Sequence, residues 1–220
     1  MSKHFKTVVF DVDGTLLDTS EGIISSVKKT INHFGLKELD NNTLEKFIGP
    51  PIQNSFMNIY GLDGKPIQEF ADYFRNIYKE EDLYKAKPYA GIYDVFEYML
   101  NIGIKPAIAT YKRQDYALKI LKYFKFNNYT DIIYGADNYN KLKKKDIIKK
   151  CLIDSCVNNF SDAVMVGDSD NDAVGAQDIG VKFIGVTYGF GFKSKKDVMS
   201  FHNVGIATSA YDLINLISEQ

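Results

Sequence analysis

The chain has 220 residues, 45% of them hydrophobic and 25% charged, with a formal net charge of -1. That balance suits one medium α/β domain or a core carrying a smaller insertion, and it excludes the basic footprint of a nucleic-acid binder. No apolar run approaches the roughly 20 residues that span a bilayer, and no apolar segment with a basic flank opens the chain, so neither a membrane partner nor a signal peptide is expected.

The first predicted element is a strand over residues 7–10, where Val8, Val9 and Phe10 form a β-prone run. Asp11 and Asp13 arrive as that run stops, with Gly14 and Thr15 directly behind. Burying two unpaired acids is expensive, so they sit at a solvated strand end or meet something positive. From about residue 20 to 87 the pattern is helical, with no strand. One stripe (Ile23, Ile24, Val27, Ile31, Phe34) marks a helix over residues 21–34, and others are expected over 52–59 and 67–78. Gly49-Pro50-Pro51 and Gly61-Leu62-Asp63-Gly64 punctuate them. The expectation is an all-α cap of residues 17–87, set into a core made of residues 1–16 and 88–220. Phe56, Met57 and Tyr60 read as packing inside that cap, and most of the other aromatic residues read as core.

Further strands are predicted over residues 106–109, 163–166 and 183–186, with weaker ones over 131–134 and 204–207. Helical patterns lie between most of them, which predicts a parallel sheet covered by helices on both faces, with its ligand site at the carboxyl ends of the strands. Thr110, Tyr111 and Lys112 follow the second apolar run, where a hydroxyl and backbone N–H groups suit a phosphate oxygen. Taken alone, Thr110 reads as a cap for a helix over 113–123. Lys141, Lys143, Lys144 and Lys145 precede a helix that begins near Asp146; alone they read as a solvated face.

Gly167-Asp168-Ser169-Asp170-Asn171-Asp172 repeats the opening pattern of acids behind an apolar run. Adjacent strand ends would gather Asp11, Asp13, Asp168 and Asp172, and like charges about 4 Å apart repel by roughly 4 kcal/mol at an effective dielectric near 20. Such a cluster shares protons, pairs with a lysine or holds a cation, and all-oxygen ligands with room for phosphate favour Mg²⁺. Asp18 and Asp170 also read as helix caps. Cys151 and Cys156 fall within one helical pattern and read as reduced thiols. His4, His33 and His202 are scattered, which excludes a zinc site.

DVDGT at residues 11–15, Thr110, the lysine run and GDSDND at residues 167–172 resemble, in order, the four motifs of the haloacid dehalogenase-like hydrolase superfamily. Gly49-Pro50-Pro51 and the stretch GVTYGFG at residues 185–191 resemble its phosphoglycolate phosphatase-like branch, which carries a small helical cap on a Rossmann-like core. The resemblance implies an Mg²⁺-dependent phosphatase. Asp11 is the implied nucleophile and Asp13 the general acid and base. Asp11, Asp13 (through its carbonyl) and Asp168 are the implied metal ligands. Thr110 and the lysine hold the phosphoryl group with Gly14 and Tyr111, Asp172 orients the lysine or a metal-bound water, and Gly49 and Pro50 are a possible specificity loop. Dehalogenase chemistry is not expected, since dehalogenases of the superfamily lack the second acid found here as Asp13. Two departures stand out: Tyr111 replaces a frequent Asn, and Asn140-Lys141-Leu142-Lys143-Lys144-Lys145-Asp146 replaces a frequent Lys-Pro. The second points to Lys144 as the motif lysine, with Lys141 and Lys143 open, as is contact of Lys112 with substrate. The implied partner is a small phosphorylated metabolite, with phosphoglycolate first, a nucleoside 5'-monophosphate second and inorganic pyrophosphate third; a β-phosphoglucomutase-type mutase is the rival reaction. The expected setting is the cytoplasm, as a monomer or weak homodimer.

Overall fold

The computed structural model describes residues 5–139 and 141–218, so His4 and Asn140 lie outside it. Strand β1 (Thr7–Phe10) is the centre of a six-stranded parallel sheet. Its partners are β4 (Lys105–Arg113), flanked by β5 (Ile133–Ala136), and β6 (Ala163–Gly167), followed by β7 (Lys182–Val186) and β8 (Gly205–Ala207). Two of the expected strands shift: residues 131–134 give way to β5, and 204–207 shorten to β8.

Every side chain of β1 is buried, because the sheet is covered on both faces. Val8 and Phe10 face a layer formed by α5 (Ile92–Asn101), α6 (Gln114–Tyr123) and α10 (Asp212–Ser218). Val9 faces the opposite layer, α7 (Lys144–Asp154), α8 (Asp170–Gln177) and α9 (Lys195–Met199). Alternate residues of one strand thereby feed two cores. Cys151 is buried on α7, where it donates to the Ile108 carbonyl at 3.3 Å and burial pushes its thiol up to about 12. The helix ends at Asp154, and Cys156 lies beyond it, exposed, at φ 58°; the expected single helical pattern for both thiols therefore breaks between them.

Four helices follow β1: α1 (Ser20–His33), α2 (Asn41–Glu45), α3 (Ile52–Tyr60) and α4 (Lys65–Ile77). A π-helical turn, Tyr78–Asp82, continues the last of them. The α1 stripe packs as expected, with Ile23, Val27 and Ile31 buried, whereas Met57 is 43% exposed and is not part of the packing that holds Phe56. The insertion leaves and rejoins the core through a short antiparallel ribbon, β2 (Leu17–Asp18) against β3 (Lys87–Pro88). Asp18 accepts the Ser20 N–H at 3.0 Å at the start of α1, as a turn or cap residue does. None of the helices among the described residues is long and apolar enough to cross a membrane.

Candidate active site

The site lies at the carboxyl ends of β1, β4 and β6. Asp11 is the residue after β1, and its N–H still bonds the Val166 carbonyl at 3.0 Å, so its position is set by the sheet. The chain then turns tightly: the Gly14 N–H bonds the Leu17 carbonyl at 2.9 Å, and the Leu17 N–H bonds Val12 at 2.9 Å. This turn needs Gly14, at φ +83°. It leaves Asp13 buried, with its Oδ1 accepting from Thr19 Oγ1 at 2.6 Å and facing Lys112 Nζ at 3.0 Å.

Asp168 follows β6. Its Oδ2 accepts the backbone N–H groups of Phe190 at 2.7 Å and Gly191 at 3.0 Å, contributed by the loop after β7. Asp172 lies in the first turn of α8, where its Oδ2 accepts from Ser169 Oγ at 2.7 Å in a capping box. Asp170, by contrast, accepts the N–H of its neighbour Asn171 at 2.8 Å at the exposed start of the helix. Lys144 opens α7 and joins the two halves: its buried Nζ stands 2.6 Å from Asp11 Oδ1 and 2.6 Å from Asp172 Oδ1. Gly175 permits this approach, since a Cβ there would lie 2.9 Å from Lys144 Cβ. Lys143 caps α7 and Lys141 is exposed, so neither side chain enters the cluster.

Burial pushes the Asp11 carboxyl up to about 8, against the pull of Lys144 and with the repulsion of Asp172, Asp13 and Asp168. Burial and Asp172 likewise push Asp168 up to about 7, against its two backbone donors. Lys144 is held above the ordinary lysine range: burial opposes its charge, but Asp11 and Asp172 outweigh it. The protein alone therefore carries more buried acid than its lysine offsets. One oxygen from each of Asp11, Asp168 and Asp172 falls within 4.8 Å of the others. This all-oxygen set fits a hard divalent cation, and the backbone closes around it at glycines: a Cβ on Gly14 or Gly189 would lie 2.1 or 2.4 Å from Asp168 Oδ2.

Strand β4 is longer than the strand expected over residues 106–109. The strand runs past residue 109 to Arg113, because after Ile108 its pairing passes from β1 to β5 alone, with a register shift before Arg113 meets Ala136. Thr110 is therefore buried within a strand and does not cap α6; its Oγ1 accepts the Lys112 N–H at 3.1 Å. Tyr111 has a side-chain task after all: its hydroxyl accepts the Lys144 N–H at 2.8 Å, pinning the start of α7. Lys112, buried, bridges Asp13 to the hydroxyl of Tyr78, 2.9 Å away on the insertion. Its position two residues after Thr110 was the available signal. Gly49 and Pro50 lie in the loop before α3 and line the cleft between insertion and core together with Asp13. Arg75 lines it too, and only its place among buried Ala71 and Phe74 on α4 and Tyr78 just beyond it would have singled it out.

The chain belongs to the haloacid dehalogenase-like hydrolase family, whose model matches residues 8–186. Within that family it is a phosphatase by likeness over nearly its full length. It is 35% identical to a predicted phosphatase from Clostridium acetobutylicum of known crystal structure, with 99% of this chain and 100% of that one superposed at a TM-score of 0.91. A 5'-nucleotidase from Pseudomonas aeruginosa is 34% identical over 86% of this chain and 85% of its own. A phosphoglycolate phosphatase from Aquifex aeolicus is 27% identical over 84% of this chain and 86% of its own. The fold expected from the motifs, an α/β core with an inserted helical cap, is the one found.

Proposed function

We propose that the protein hydrolyses a small phosphomonoester with Mg²⁺, through an aspartyl-phosphate on Asp11. The observation that carries this reading is that Asp11, more than a hundred residues from the others in sequence, gathers with Asp168 and Asp172, and that the buried ammonium of Lys144 joins Asp11 to Asp172. Asp11 attacks phosphorus, the bond to the leaving oxygen breaks, and Asp13 gives that oxygen its proton. Asp13 then takes a proton from water as the water attacks phosphorus, and the bond to Asp11 breaks, releasing phosphate. Thr19 and Lys112 hold Asp13 in place for both steps. Lys144, with Thr110 and the backbone of Gly14 and Tyr111, stabilises charge on the phosphoryl oxygens, while Asp172 fixes the lysine. Mg²⁺, held by Asp11, the Asp13 carbonyl and Asp168, would neutralise the acids and polarise the phosphoryl group.

Residues 17–87 act in this reading as a cap that closes over the core of residues 1–16 and 88–220, excluding water. Phosphoglycolate is the first substrate, in keeping with the Aquifex relative. A nucleoside 5'-monophosphate is the second reading, favoured by the Pseudomonas relative at 34% identity. Pyrophosphate hydrolysis and mutase chemistry are the remaining alternatives, and water-dependent phosphate release separates phosphatase from mutase. The test is phosphate release across a metabolite panel, with and without chelator. Asp11→Asn should lower turnover by at least about 10³-fold with an unchanged circular dichroism spectrum. A folded Asp11→Asn protein with near-normal rate would remove the nucleophile.

A further inference from the structure

Between cap and core lies a cavity of about 70 Å³ bordered by Asp13. The reading above makes Asp13 the proton donor to the leaving oxygen, so the leaving group of the substrate occupies this space. Three cations also border it: Lys112 and Arg113 from the core, and Arg75 from α4 of the cap. Two of them are answered at close range. Lys112 faces Asp13 at 3.0 Å, and Arg113 holds both oxygens of Asp115 at 2.6 Å.

Arg75 is different. It is 7% exposed, yet its one carboxylate contact among the described residues, Asp72 at 3.3 Å, is a half-exposed side chain. Its other acceptors are neutral: the Asn138 carbonyl at 3.1 Å and Gln53 Oε1 at 3.1 Å. A buried guanidinium with so little counter-charge is costly unless an anion joins it. Phe74 and Tyr78 wall the same cavity and lower the local dielectric, which strengthens any such pairing.

We infer that Arg75 reads a second anionic group on the substrate, a carboxylate or a further phosphate carried by a short leaving group. The inference rests on the phosphatase reading and narrows its substrates. A cavity bordered by both Asp13 and Arg75 suits a short leaving group such as a small hydroxy acid or a phosphate. Planar guanidinium donors suit either oxyanion. Arg75 is then a specificity residue, placed on the helix that closes with the cap rather than on the Gly49-Pro50-Pro51 loop.

The experiment compares phosphoglycolate, its carboxamide analogue of equal size, and pyrophosphate. Binding to the Asp11→Asn protein with Mg²⁺ is read by calorimetry, and kcat/KM is read on the wild type. At least one anionic compound should bind about tenfold or more tightly than the carboxamide, and whichever of the two gains more identifies the group as carboxylate or phosphate. That ratio should collapse in Arg75→Gln and partly return in Arg75→Lys, which retains charge without the planar fork. A carboxamide that binds as well as both anions overturns the inference, and this comparison needs no Arg75 variant to fold. A ratio that survives Arg75→Gln overturns the assignment to Arg75. Absence of phosphate release from any of the three by the wild type counts against the phosphatase reading, while the binding ratio still judges the subsite.

Discussion

Among the described residues, Lys144 is the one cation paired with both Asp11 and Asp172, at 2.6 Å from each. A single ammonium does not offset Asp11, Asp168 and Asp172 together: burial first, and then the repulsion of neighbouring acids, hold Asp11 up at about 8 and Asp168 at about 7. Those positions carry a consequence for stability. An acid held above its ordinary value keeps a proton in the folded chain that the unfolded chain has already released. The metal-free protein therefore loses stability as pH rises from the ordinary carboxylate range, around 4, through about 8. Thermal melts in chelator should fall between about pH 5.5 and pH 8.5, and Mg²⁺ should raise the melting temperature more at the upper end, since its ligands bind it ionised. A melting temperature that is flat or rising across that window in chelator, with no larger metal effect at high pH, would contradict this charge balance.

At the scale of elements, the turn from β1 into the insertion carries most of the geometry. Gly14 sits at φ +83° with its α-carbon against Asp168, so Gly14→Ala meets backbone strain of about 1–2 kcal/mol and a Cβ 2.1 Å from Asp168 Oδ2. The variant should melt several degrees lower, on the order of 5 °C, and require more Mg²⁺ for half-maximal turnover; a wild-type metal requirement would show that Asp168 is not held by this turn. The strand ends that present Asp11 and Asp168 were legible because an apolar run that stops at an acid is a local pattern. The π-helical turn, the run of β4 on to Arg113 and the pairing of Lys112 with Asp13 were not. Each depends on which distant segment lies alongside: β5 for the extra length of β4, and Tyr78 and Asp13 for Lys112. Lys144 was separable from Lys141 and Lys143 only through motif resemblance, since the three read alike as surface charge until α7 is docked and one of them points inward.

Across the whole molecule, cap and core meet through a small number of directional contacts around the cleft. Tyr78 bonds Lys112 at 2.9 Å, Arg75 bonds the Asn138 carbonyl at 3.1 Å, the Tyr116 hydroxyl bonds the Arg75 carbonyl at 3.2 Å, and Lys193 reaches Glu45 at 3.3 Å. The bond from Tyr78 to Lys112 continues to Asp13, so the same chain of contacts that seats the cap also positions the proposed proton donor. In the proposed mechanism a closed site of this kind would shield the aspartyl-phosphate on Asp11 from bulk water, and Asp13 would set its lifetime. The most direct measurement is acid quenching during turnover with Mg²⁺, followed by mass spectrometry of the peptide that contains residues 11–15. The account predicts a phosphoryl group on Asp11 that appears with substrate and metal, is lost in Asp11→Asn and accumulates in Asp13→Asn protein supplied with an activated phosphate ester. A phosphoryl group found on a different side chain, or full turnover in which Asp11 never carries one, would contradict it.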